Sequence, residues 1–259
     1  MRPRQTPLPL AVPAAVGFAF LVLPLVALLV RTPLRRIGGA LFSADVLPAL
    51  RLSVLTATAA TALALVLGVP LAWVLARADF RGRSWVRSVV LVPLVLPPVV
   101  GGLALLLALG RRGLVGGVLF RAFGIGIPFT SVAVVLAELF VAMPFLVITV
   151  EGALLGLDER YDDAAATLGA SRWFTFRQVT LPMLAPGVGA GAALCWARAL
   201  GEFGATITFA GNNPSTRTGP ISVYLLLESD QDAAIALSLV LLAVSVVVLA
   251  SLRGRWLRG

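Results

Sequence analysis

The chain has 259 residues, 59% of them hydrophobic and only 13% charged, against roughly 25% charged in an average soluble domain, so a water-soluble fold is not the expectation. All 21 basic residues are arginine, with no lysine and no histidine, which rules out a G-x-x-x-x-G-K-[ST] phosphate loop, an H-E-x-x-H zinc site and a Ser-His-Asp triad. The net charge of +9 sits on arginines at the ends of apolar runs rather than in one stripe, a pattern of membrane topology and not of a nucleic-acid partner.

Apolar stretches of about 20 residues recur along the chain, each long enough to cross about 30 Å of hydrocarbon. They predict an all-α, polytopic membrane protein of about six transmembrane helices, with residues 1–259 forming one membrane domain. The first span runs from about Leu10 to Val30 behind Arg2 and Arg4. Its apolar region exceeds the roughly 7–15 residues of a signal-peptide core, so an uncleaved anchor is expected. The next spans are Ser53 to Ala76, Ser88 to Leu109 and Thr130 to Val150, and two more follow at Met183 to Phe209 and Ala233 to Leu252.

With the N-terminus in the cytoplasm, twelve arginines face inward: Arg2, Arg4, Arg77, Arg81, Arg83, Arg87, Arg160, Arg172, Arg177, Arg253, Arg255 and Arg258. Eight lie outside: Arg31, Arg35, Arg36, Arg51, Arg111, Arg112, Arg121 and Arg217. The positive-inside bias favours that orientation. Pro70, Pro93, Pro97, Pro98, Gly101, Gly102 and Pro144 interrupt spans. They are ordinary kinks or the broken helices of a cavity, with the Pro97-Pro98 region the better candidate for a cavity.

Between the fourth and fifth spans the pattern changes over Asp158 to Pro182. Asp158, Glu159, Asp162 and Asp163 place acid in the first turns of a helix, where it complements the helix dipole. Gly169 suits a left-handed stop, and Ser171 suits the N-cap of a second short helix that presents Trp173, Phe174 and Phe176. Ala164, Ala165 and Ala166 permit close approach, and Pro182 and Pro186 flank the next span. Exposed aromatics without a core of their own ask for a partner. A hairpin lying on the bilayer also suits the aromatics and arginines, but four acids oppose an anionic headgroup layer.

The segment resembles the signature loop of bacterial ABC-importer permeases: E-A-A, three residues, glycine, nine residues, isoleucine, any residue, leucine-proline. Here Asp163-Ala164-Ala165 is followed by Gly169, Val179 and Leu181-Pro182 at the same spacing, with Asp for Glu and Val for Ile. The resemblance implies a type I ABC-importer permease in a bacterial inner membrane, non-catalytic itself, whose loop docks into a separate cytoplasmic ATPase dimer. The docking residues so implied are Asp163, Ala164, Ala165, Gly169, Ser171, Trp173, Val179, Leu181 and Pro182. No cofactor is then expected in this chain, ATP and Mg²⁺ belonging to the partner, and the missing lysine agrees.

The fifth span holds Arg198 and Glu202 in an apolar run. An ion at bilayer depth costs at least about 2.5–3.5 kcal/mol, so it pairs or faces water. Their i,i+4 spacing permits an intrahelical pair, and an anion route or cytoplasmic gate stays open as the other reading, with Glu138 a further candidate partner. The run Ala197 to Ala205 with Ala210 to Asn212 resembles the molybdate and sulfate branch of these permeases, as does Pro220 to Tyr224 leading to Glu228. Oxyanions are held by oriented neutral donors, so Thr206, Thr208, Asn212 and Asn213 join Arg198 and Glu202 as pathway candidates, although all four also read as plain helix-end residues.

That resemblance implies a permease for molybdate, with tungstate close behind, working as a homodimer fed by an extracytoplasmic oxyanion-binding protein. A sulfate or thiosulfate permease and an ion-coupled secondary transporter are the alternatives. An intramembrane enzyme lacks catalytic groups. Cys195, the single cysteine, sits in an apolar run and is expected in the core.

Overall fold

The computed structural model describes residues 8–32, 39, 46–158 and 160–256, and these form helices and connecting turns with no strand among them. Arg2, Arg4, Arg35, Arg36, Glu159 and Arg258 of the expectations above lie outside the described residues. In chain order the helices are α1 (Leu8–Arg31), α2 (Val46–Arg77), α3 (Arg83–Val95), α4 (Pro98–Leu109), α5 (Gly116–Phe123), α6 (Ser131–Leu155) and α7 (Arg160–Thr167). They continue as α8 (Arg172–Thr175), a π-turn (Phe176–Thr180), α9 (Leu181–Leu200), α10 (Gly204–Phe209), α11 (Gly219–Ser229) and α12 (Gln231–Trp256). Among the described residues five helical stretches are long and apolar enough to cross a bilayer, and the count is six with the bent pair α3 and α4 taken as one broken span.

Within the expected span from Ser88 to Leu109, the interruption at Pro97-Pro98 is a full break: α3 and α4 are bent by 117°. The cause is local. A residue before proline is driven from the α region, and both Leu96 and Pro97 take ψ 132 ahead of Pro97 and Pro98. Gly101 and Gly102 then fill space rather than open it. Both are buried, and a Cβ on Gly102 would lie 2.7 Å from the Ala205 carbonyl oxygen. Helix α4 thereby lies directly on α10.

The centre of the bundle is α2, α6 and α9. Ala57, Ala60, Ala64 and Ala72 line one face of α2 against Leu146, Val147, Val150 and Leu154 of α6 and Leu184, Cys195 and Ala199 of α9. Within lipid the hydrophobic effect does not drive helices together, so small residues that allow close packing do this work. A Cβ on Gly187 would stand 2.5 Å from the Ala153 Cβ, and one on Gly191 would stand 2.9 Å from Leu146 Cδ1. A second cluster joins Ala133, Val134, Ala137 and Val141 of α6 to Ala205 and Phe209 of α10. Helix α1, in contrast, buries none of its apolar stretch inside the subunit.

Two further expectations are corrected. The fifth span does not run on to Phe209: α9 stops at Leu200, Gly201 to Phe203 break the helix, and α10 restarts at Gly204. Pro220 to Glu228 is not an outer loop but most of α11, whose Gly219 N–H donates to Ser53 Oγ on α2 at 2.7 Å. Arg51, expected in a loop, lies within α2.

Candidate functional site

Helix α7 is held at both ends by its own sequence. At the start, Asp158 Oδ1 accepts from the Arg160 N–H at 3.0 Å. At the end, Gly169 takes φ +79, the Ala170 N–H reaches the Ala165 carbonyl at 3.0 Å and the Gly169 N–H reaches that of Ala166 at 3.0 Å, the pattern of a glycine-terminated Schellman stop. Two residues later Ser171 caps the next helix, its Oγ accepting from the Phe174 N–H at 3.3 Å.

The second helix is not the separate short element expected from Ser171. It passes through the π-turn at Phe176–Thr180 straight into α9, so that residues Arg172–Leu200 form one 29-residue helical stretch. The joint is braced by aromatics: Phe176 meets Trp73 of α2 edge-on at 5.0 Å and stacks on Trp173 at 5.6 Å. Phe176 therefore has a packing partner inside the chain. Trp173 and Phe174 stay exposed, at 69% and 55%, and Leu168 at 88%. Asp163, Ala164, Gly169, Ser171, Leu181 and Pro182 are also exposed, while Ala165 and Val179 are half-buried. The side chain of Asp162 lies outside the description.

The buried acids of the bundle are each accounted for differently. Glu202, 1% exposed, binds Arg198 through Oε2 at 2.6 Å and accepts the Ala205 N–H on Oε1 at 2.8 Å. One carboxylate thus neutralises a membrane-embedded arginine and caps the first turn of α10. The i,i+4 pair forms although the helix ends between its members. Glu138 does not reach Arg198; its Oε1 accepts from Thr56 Oγ1 of α2 at 2.9 Å.

The remaining pathway candidates do not converge. Thr206 is fully buried, Thr208 Oγ1 donates to the Gly204 carbonyl at 2.8 Å, and Asn212 is exposed with its carbonyl accepting from Arg217 Nε at 3.3 Å. Asn213 is engaged at both ends of its amide, donating to the Phe129 carbonyl at 3.1 Å and accepting from the Ser215 N–H at 3.0 Å.

An ion pair between two helices escaped the sequence reading. Arg87 of α3 donates through Nε to Glu151 Oε1 of α6 at 2.9 Å, with Nη2 on the same oxygen. It fastens the first arm of the broken span to the central helix. The available signal was an acid, Glu151, at the end of an apolar run with no local cation.

Long apolar helices, a membrane-embedded Arg198–Glu202 pair and a capped helical segment exposed at one end define a polytopic membrane protein. The same fold is found in the crystal structure of a bacterial ABC transporter involved in the import of the acidic polysaccharide alginate, with a TM-score of 0.73 at 17% identity, covering 96% of this chain and 94% of that one. The family described as binding-protein-dependent transport system inner membrane component matches residues 68–258, and the chain belongs to it.

Among its relatives, the molybdenum transport system permease protein ModB of Mycobacterium tuberculosis is 48% identical over 98% of this chain and 96% of its own length. The protein of that name from Escherichia coli is 40% identical over 81% and 92%. The sulfate transport system permease protein CysT of Escherichia coli is 38% identical over 80% and 76%.

Proposed function

We propose that this chain is the membrane permease of an ATP-driven importer of molybdate, and of tungstate as an ion of the same charge, working as a homodimer in the bacterial inner membrane. The observation that carries the substrate is the 48% identity across nearly the whole chain to a permease named for molybdenum transport. Exposure of the docking candidates supports the drive. Asp163, Ala164, Gly169, Ser171, Trp173, Leu181 and Pro182 are exposed on a capped segment without a cover of its own, and ATP with Mg²⁺ is supplied by the separate subunit that this surface engages.

In this mechanism, closure of two ATPase subunits pulls the docked segments together. The pull enters the membrane through the continuous stretch Arg172–Leu200, so α9 moves as a lever against α2 and α6. An extracytoplasmic binding protein delivers the anion, Arg198, Glu202, Thr206, Thr208 and Asn212 being the candidates along its route. The N-terminus is cytoplasmic, on the side of Asp158. The bare apolar surface of α1 supports burial against lipid or the second copy.

The test is uptake of labelled molybdate into proteoliposomes holding the permease, its ATPase and its binding protein, competed by tungstate and by sulfate. Molybdate uptake that needs ATP and is blocked by tungstate is expected. Preference for sulfate overturns the substrate, and uptake driven by an ion gradient without the ATPase overturns the class.

A further inference from the structure

At the end of α6 opposite Asp158–Pro182 lies a cavity of about 460 Å³, walled by Leu106, Leu107, Pro128 and Phe129 and rimmed by Arg111 and Arg112. Thr130 caps the start of α6 beside it, and the 25-residue helix ends at Gly156 next to the docking segment, a separation of about 37 Å at about 1.5 Å per residue. Cavity and docking segment therefore face opposite sides of the bilayer.

The cavity is built rather than incidental. Its α4–α5 turn is wound too tightly for side chains, since a Cβ on Gly113 would lie 2.5 Å from the Leu107 carbonyl oxygen and one on Gly110 would overlap that of Leu106. Backbone bonds from Gly113 to Gly110 at 2.7 Å and from Val115 to Ala108 at 2.9 Å fix the fold-back. Arg111 is held with its guanidinium 5.1 Å from the centre of the Phe120 ring.

Phe129 forms the far wall with φ 64, and it is the one non-glycine with positive φ among the described residues. A bulky residue takes this conformation only when its surroundings impose it, and such strain gathers at functional sites. Here the Phe129 N–H donates to the Phe209 carbonyl at 3.4 Å and its carbonyl accepts from Asn213. The outcome is an aromatic ring left 58% exposed.

The stretches around this cavity carry positive charge only, the acids of the same side, Glu228, Asp230 and Asp232, lying at the end of α11 and the start of α12. The sequence has no acid between Asp79 and Glu138 and none between Glu202 and Glu228, while Arg111, Arg112, Arg121 and Arg217 fall in those stretches. Ser131 Oγ donates to the Ser215 carbonyl at 2.8 Å, so the loop bearing Arg217 is tied to the rim of the cavity.

Apolar walls oppose a bare dianion, which would lose its water against Leu106, Leu107, Pro128 and Phe129 without new donors to replace it. They suit an apolar side chain, and the arginine rim suits carboxylates around it. We propose that this cavity is the socket in which the extracytoplasmic binding protein docks, through a knob with an apolar tip flanked by acidic residues. The identity of the partner rests on the importer reading above.

Leu114, 86% exposed and next to the rim but not part of the walls, is the place for a reporter, because the native Cys195 is buried and silent to maleimide. The Leu114→Cys permease, assembled with its ATPase in nanodiscs, is labelled with a maleimide dye. Molybdate-loaded binding protein is expected to shift the dye's emission and slow its quenching.

Arg111→Glu with Arg112→Glu is expected to raise the Kd of that association at least about tenfold and to flatten its dependence on ionic strength. Arg121→Glu, on the same face outside the cavity, is expected to change it less than about twofold. Co-elution of the doubly substituted permease with its ATPase establishes that it has folded. An unchanged Kd in that folded variant overturns the socket. Protection by molybdate alone makes the cavity an anion site, and protection without any addition makes it a lipid or self-contact surface; both overturn the proposal. Protection by sulfate-loaded but not molybdate-loaded binding protein supports the socket while removing molybdate as the substrate.

Discussion

Replacing Gly169 with valine is expected to uncouple ATP hydrolysis from the arrival of the loaded binding protein. The substitution meets no obstacle inside the subunit, because nothing lies within 4 Å of a Cβ at this position. Its whole cost is in the backbone: φ +79 is left-handed, which an L-residue pays for with about 1–2 kcal/mol and a β-branched one with more. Helix α7 has only eight residues, so its end cannot absorb the strain by spreading it along the chain. A loss of about 1–2 kcal/mol lowers the population of the capped segment by a factor of about 5–30. The assay is the ratio of binding-protein-stimulated to unstimulated ATP hydrolysis, together with anion taken up per ATP. Gly169→Asn is the control, since asparagine tolerates the left-handed region, and it is expected to keep most of the coupling. Wild-type coupling in Gly169→Val would refute the reasoning, and so would an asparagine variant as defective as the valine one.

Two further outcomes follow from the bundle. Arg87→Ala leaves Glu151 without its cation at a side-chain exposure of 8%. Because Arg87 is itself 40% exposed, the loss of thermal stability in detergent is expected at about 1–2 kcal/mol rather than the larger cost of breaking a fully buried pair, and Arg87→Leu combined with Glu151→Leu should recover much of it. Gly187→Ala, with its new Cβ 2.5 Å from that of Ala153, is expected to lose about 1–3 kcal/mol by overpacking, whereas Gly189→Ala, with nothing within 4 Å, should melt like the parent; equal melting of the two would remove the close α6–α9 approach.

The spans were legible because crossing a bilayer is a property of about 20 consecutive residues. The stops at Gly169 and Ser171 were legible for the same reason, since a cap involves donors and acceptors no more than five residues apart. The Pro97-Pro98 pair announced a break, but the seating of α4 on α10, with Gly102 against Ala205, joins residues 103 positions apart and no local pattern records it. The end of α9 at Leu200 went unseen, because Glu202 serves Arg198 and the Ala205 N–H at once, and i,i+4 spacing alone describes an unbroken helix equally well.

What the sequence by itself determined was therefore the caps at Gly169 and Ser171, the apolar stretches long enough to cross a bilayer and, through the missing lysine and histidine, which site motifs the chain cannot contain. What only the tertiary structure decided was which polar groups of distant helices meet. Arg87 finds Glu151 across 64 residues, Thr56 finds Glu138 across 82, and Ser53 finds the Gly219 N–H across 166. A polar group in lipid must be satisfied by whatever the packing brings to it, and packing here is set by small residues on three helices whose mutual register no single stretch of sequence records.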